Sequence, residues 1–298
     1  MEVEQIEQQV EAISAPSPAV KETRRVKVIR PASLSPAVLW DSLVELHRSR
    51  DLLLTLTLHR IRVRYKQSAL GWGWALLQPI SLMLVYTVIF SVVGHMKSDG
   101  LPYTIFVFGG LLPWILFQTA ISTSSTGLVA HTQLITKVYF PREILPLTYV
   151  LAALFDFLVA CTVLAVMMAI YRIAPTREIL YVIPILIVEL FFSTGLALFL
   201  SAAQVRLRDI GIAMPLIMQL MMFGTPVVYP LAQVPLRFRV YFLWNPMCGV
   251  VENFRRVVVL GWGVNLPLLV LSAVLSIVTL VLGYIFFKYK EATMADVI

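Results

Sequence analysis

Charge is what this chain has least of. Only 14% of its 298 residues are Asp, Glu, Lys or Arg, about half the share of a globular protein. The shortage is concentrated: no charged side chain falls between Gly73 and Met96, Asp99 and Thr136, Glu189 and Val205, Ile210 and Arg237, or Val257 and Phe287. A bilayer core needs about 20 apolar residues per helix, and these stretches supply them. A mean hydropathy of +0.83 excludes a soluble multidomain protein. The runs are also too long and unbroken for alternating barrel strands, which leaves helices that satisfy their own backbone. The chain reads as an all-α integral membrane protein.

Other absences narrow its chemistry. There are two cysteines, Cys161 inside a span and Cys248 in a connection, so neither a disulfide framework nor metal-ligand spacing is present. A phosphate-binding loop needs Gly-Lys followed by Ser or Thr, and none of the seven lysines follows a glycine. The chain is therefore no ATPase of that type. His47, His59, His95 and His131 are scattered, with no His-Glu-x-x-His and no close carboxylate pair. No catalytic residue, no metal site and no cofactor bound by this chain is expected. Residues 1–35 lack an apolar signal core and cleavage site, and their Glu, Gln, Ser, Pro and Arg character predicts a disordered cytoplasmic tail.

What is present organises as six spans, at about 74–95, 104–128, 143–170, 179–203, 211–229 and 265–287, within a transmembrane domain over 73–298. An even number puts both termini on one side, and 17 of the 24 Lys and Arg residues then fall inside, as the positive-inside rule requires. The basic balance follows from that bias, and nucleic-acid binding is not read from it. Four of the seven outside, Arg237, Arg239, Arg255 and Arg256, share the connection at 230–264. That connection is apolar, aromatic and punctuated by Pro230, Pro235, Pro246 and Gly249. It reads as two short helices, either re-entrant in the outer leaflet or exposed to water.

Residues 36–72 carry Leu54, Leu58, Ile61 and Tyr65 at helical spacing opposite Arg60, Arg62, Arg64 and Lys66. The same stretch also alternates with period two, which leaves a strand open. A basic amphipathic helix on the anionic inner membrane face is the preferred reading. The short loop at 129–142 places Leu134, Ile135, Val138 and Tyr139 on one face beside Lys137 and Arg142, a docking knob for a cytoplasmic partner or a plain tight turn. Asp156 and Glu189 lie well inside spans three and four, where an unpaired charge costs several kcal/mol. They either serve a function, such as proton coupling, or meet a hydroxyl, each other or a neighbouring arginine. Tyr86 with Phe90, and Trp114 with Phe117, share helix faces and suit the CH face of a sugar, as do Phe223 and Tyr229.

Four motifs in order carry a resemblance: Arg64-Tyr65-Lys66-Gln67-Ser68-x-Leu70-Gly71-x-x-Trp74 with Gln78-Pro79; Phe140-Pro141-Arg142-Glu143-x-x-Pro146; Pro226-x-x-Tyr229-Pro230; and Asn245-Pro246 with Arg255 downstream. Over about residues 36–298 the chain resembles the permease subunits of type-2 ABC exporters for polysaccharides, the O-antigen, capsule and teichoic-acid branch. The resemblance implies a homodimer in the cytoplasmic (inner) membrane, with two copies of a separate nucleotide-binding subunit that holds ATP and Mg. It implies an interface helix at about 40–68, a coupling helix at 129–140, and gate helices at 231–262 that include Arg237, Arg239, Asn245, Arg255 and Arg256. Spans one, two and five would line a channel for lipid-linked polysaccharide through Tyr86, Phe90, Trp114, Phe117, Phe223 and Tyr229. Those spans hold no basic residue, which favours a neutral glycan. Export of a drug or small lipid on the same fold, and a secondary carrier using Asp156 and Glu189, are the alternatives.

Overall fold

The computed structural model describes residues 36–66, 68–96, 98, 100–137 and 140–297; the tail expected over 1–35 lies outside them, as do Val138 and Tyr139. Every regular element among the described residues is helical.

The stretch expected to form one interface helix forms two, α1 (Pro36–Arg48) and α2 (Arg50–Tyr65), which part at Ser49. This settles the helix-or-strand ambiguity at Leu54 to Tyr65. The buried face differs from the expected one: Thr57, Ile61 and Tyr65 are buried, whereas Leu54 and Leu58 stay exposed. Thr57 tolerates burial because its hydroxyl donates to Leu53 O at 2.7 Å. Leu54 and Leu58 are left as an apolar face suited to lipid.

Among the described residues five helical segments are long and apolar enough to span a membrane: Gly73–Val93, Tyr103–Ala130, Ile144–Ile170, Arg177–Gln204 and Leu266–Glu291. The first is α3 (Gly73–Tyr86), continued by a π-helical turn at Thr87–Val93. The second and third are α4 (Tyr103–Ala130) and α6 (Ile144–Ile170), joined through the one-and-a-half-turn α5 (Thr132–Lys137). A 3-10 turn at Arg177–Tyr181 leads into α7 (Val182–Gln204). The fifth expected span, 211–229, is here the shorter α8 (Asp209–Phe223), 15 residues long. It stops because Gly224, Pro226 and Pro230 follow, and its length of about 22 Å falls short of a 30 Å core. The next connection forms two short helices, α9 (Leu236–Leu243) and α10 (Pro246–Arg255). Asn245 caps α10 by accepting from Met247 N at 3.1 Å, with Pro246 in the first turn, where its missing donor costs nothing. Then a π turn ends at Gly261, whose φ of +64° favours glycine, and α11 (Leu266–Val297) closes the chain.

The central pillar is α4, with 78% of its most apolar window buried against 11% for the Gly73–Val93 segment. Around it pack α3, α6, α7, α8 and α10. Against α7 lies α11, their main chains meeting where Gly195 faces Gly283; a Cβ on either would strike the other helix's backbone. Small residues at such crossings let membrane helices gain close van der Waals contact. At one end of the bundle, α5, the start of α6, the end of α7 and the end of α11 converge on one apolar cluster with α1 and α2. The opposite end carries α9 and α10.

Candidate functional site

The intramembrane acid of span three has its partner on the preceding amphipathic helix. From α2, Arg64 forms an ion pair with Asp156, and Tyr65 donates its hydroxyl to Asp156 Oδ1 at 2.7 Å. Burial, reinforced by the Asp156 carboxylate, pushes the Tyr65 hydroxyl up to about 12, so it remains a donor. One turn back, the Arg60 guanidinium lies 3.2 Å from the centroid of the Tyr149 ring. That ring reaches its place only because residue 127 is glycine, where a Cβ would collide with it. Arg60 Nη2 also stands 3.3 Å from His131 Nε2. For Arg60 to donate there the imidazole must be neutral, and burial, with Arg60 and His59 nearby, pushes the His131 pKa down. Residues 60, 64 and 65 thus fasten α2 along α6. Glu189 behaves differently: it is fully buried on α7, and its carboxyl has no hydrogen-bond partner among the described residues. Asp156 and Glu189 do not pair with each other.

Below the α2–α6 seam a cavity of about 490 Å³ opens between α2, α3, α4 and α6. Polar groups from each line it, among them Gln78 of α3 and Gln118, Thr119 and Ser122 of α4.

At the α5 end, Leu134 packs inward against the Leu128, Phe140, Ile144 and Phe287 cluster, while Lys137 is exposed. Of the expected docking face, Val138, Tyr139 and the side chain of Ile135 lie outside the described residues. Arg142 donates to Glu291 O at 2.5 Å. Beside it, Lys288 reaches Glu143 at 2.8 Å and Glu291 at 2.9 Å. Burial pushes the Glu143 carboxyl up while Lys288 pulls it the other way. This clasp ties the loop after α5 to the last helix. It was invisible in the sequence, where Glu143 and Lys288 are ordinary boundary charges.

The aromatic residues expected in a channel divide into two groups. Tyr86 and Phe90 pair at 6.1 Å, and Tyr86 reaches Met222 Sδ at 3.4 Å, which joins α3 to α8. Phe223 is exposed, and the Tyr229 hydroxyl donates to its carbonyl at 2.5 Å. Trp114 and Phe117, in contrast, are sealed in this chain's own core, with Phe117 stacked on Phe192 at 5.2 Å. They do not face open space within the chain.

At the far end Arg255 is 1% exposed. Its Nη2 donates to Pro226 O and Val227 O, each at 2.7 Å, and its guanidinium lies 4.0 Å from the Phe106 centroid. Gly110 leaves the room for this, since a Cβ there would meet both Arg255 and the Val227 carbonyl. Arg239 donates to Val234 O and Ala232 O, Arg256 to Gly263 O, and Asn245 to Thr225 Oγ1. Arg237 lies over the Phe238 ring at 4.7 Å. Three of the four arginines therefore secure loop carbonyls, which accounts for cations in so apolar a connection.

Residues 51–259 match the family described as ABC-2 type transporter. The O-antigen export system permease protein RfbA of Myxococcus xanthus is 31% identical, covering 72% of this chain and 82% of its own length. A protein of the same name from Klebsiella pneumoniae is 29% identical over 69% of this chain and 79% of its own. The polysialic acid transport protein KpsM of Escherichia coli is 27% identical over 80% of this chain and 93% of its own.

Proposed function

The chain belongs to the ABC-2 type transporter family of membrane proteins, and from that premise we propose that it is the permease subunit of an ATP-driven polysaccharide exporter. The observation that carries this is the similarity, over most of its length, to proteins named as O-antigen export system permeases and a polysialic acid transport protein. Its cargo is a lipid-linked glycan moved out of the cytoplasmic leaflet of the inner membrane. ATP and Mg are held by a separate nucleotide-binding subunit, present in two copies on a homodimer of this chain.

In this reading α8 with the turn to Tyr229 is the fifth of six passes, both termini are cytoplasmic, and α9 and α10 are re-entrant gate helices secured by Arg255. Closure of the ATPase pushes on α5, and the Glu143–Lys288–Glu291 clasp carries that push into α6 and α11 together. Tyr86, Phe90, Phe223 and Tyr229, on α3 and α8, offer the glycan rings to slide over. Trp114 and Phe117 support that path from behind. The absence of basic side chains along α3, α4 and α8 favours a neutral glycan.

Deleting the gene and fractionating lipid-linked glycan tests the proposal. Polymer trapped inside, with none at the surface, is the expected result. Unchanged surface glycan in a strain with no second exporter would transfer the assignment to a drug or small lipid.

A further inference from the structure

The cavity beneath the α2–α6 seam presents polar groups that the chain's own hydrogen bonding leaves unused. Hydroxyls in a helix commonly return their proton to a carbonyl one turn back. Thr123, Ser124 and Ser125 do so, at 2.6, 3.2 and 3.0 Å. Thr119 and Ser122 line the cavity instead, and their side chains make no hydrogen bond among the described residues; the same is true of Gln78 opposite them. Gln118 accepts from Trp114 Nε1 at 2.9 Å, which leaves its amide protons unused. An amide or hydroxyl sealed without a partner in an apolar medium costs several kcal/mol. These groups are not sealed but open, Gln78 exposed and Gln118, Thr119 and Ser122 half-buried, so a polar guest can reach them. This wall is built to meet something polar.

Charge decides what kind. Among the described residues the cavity is lined by one cation and one carboxylate, Arg64 and Asp156, bonded to each other. A phosphate or carboxylate ligand would have to pull Arg64 from Asp156 and then sit beside that negative charge. A neutral polyol meets no such repulsion: a vicinal diol donates to the free lone pairs of Asp156 while an amide donates to it. Trp74, 48% exposed, adds a flat apolar ring on the same wall. The volume of about 490 Å³ lies in the range of small-molecule sites, about 300–1,000 Å³.

We infer that this cavity is a binding site for a neutral sugar unit, a pyranose with free vicinal hydroxyls, held by Gln78, Gln118, Ser122 and Asp156 against Trp74. The inference deepens the export reading by giving the glycan a place to be held beside the path, and it can be tested apart from that reading.

The test uses the full-length chain in lipid nanodiscs carrying Ser122→Cys or Thr119→Cys, labelled with a small thiosulfonate and quantified at that peptide by mass spectrometry. Methyl mannoside and methyl N-acetylglucosaminide are the probes, with inorganic phosphate as the anionic comparison. Several-fold slower labelling with either pyranoside and not with phosphate, abolished by adding Gln118→Ala, is the expected result. Labelling unaffected by both sugars, protection by phosphate in their place, or failure of both cysteines to react would each overturn the site. Export is read separately: surface glycan should fall in the Gln118→Ala strain while the chain remains inserted. If deleting the whole gene leaves surface glycan unchanged, the export reading falls while the labelling result stands on its own.

Discussion

Truncating Asp156 to alanine strands the Arg64 guanidinium and removes the acceptor of Tyr65. A fully buried pair broken this way costs about 3–5 kcal/mol; with Arg64 partly exposed, about 1–3 kcal/mol is expected. The midpoint of thermal unfolding should fall, and Arg64→Ala with Asp156→Ala together should cost less than the sum of the two, because they share one interaction. His131 supplies a pH signature. Its pKa is lowered in the folded chain, so the folded form binds the proton less readily than the unfolded one. Its contribution is therefore complete above the ordinary histidine value of about 6.5 and is lost as pH falls through that value toward the lowered one. Thermal stability should drop over that acidic window in the native chain, and His131→Gln should flatten this part of the profile. Asp156 was recognisable in the sequence because a charge in an apolar run stands out. Its partner was not, since nothing local says that α2 folds back along α6.

The short α5 and its clasp invite a test of coupling. Val138→Asp with Tyr139→Asp places two charges on the expected docking face, and should uncouple a partner ATPase while insertion and folding of the permease are kept. Unaltered partner binding and transport in that double variant would remove α5 from the coupling role. Helices were legible here to different degrees for a physical reason. The spans announce themselves by their lack of charge, and α10 by its Asn-Pro cap. Which way a helix faces is harder: α4 carries no charged residue to mark an outer face, so spacing alone could not say whether Trp114 and Phe117 look outward or, as found, inward, with Phe117 stacked on Phe192. In α2 the leucines at 54 and 58 competed with Thr57, which is buried because it satisfies its own hydroxyl locally.

The described helices form a bundle braced at both ends, by Glu143 and Lys288 at one and by Arg255 at the other. Its transmembrane character was plain from composition, while the proposed fifth pass rests on how the 15-residue α8 and the turn to Tyr229 sit in lipid. A cysteine at Arg237, labelled from each side of the membrane, addresses this: label should arrive from outside, and arrival only from the cytoplasm would overturn the six-pass arrangement. The central claim is tested most directly by reconstituting the permease with its ATPase in vesicles that carry a fluorescent lipid-linked glycan on one leaflet. ATP should move the glycan to the opposite side, where an added quencher no longer reaches it. Movement that ignores ATP and collapses with the ion gradient, or ATP-driven movement of a short lipid but never of the glycan, would contradict the account.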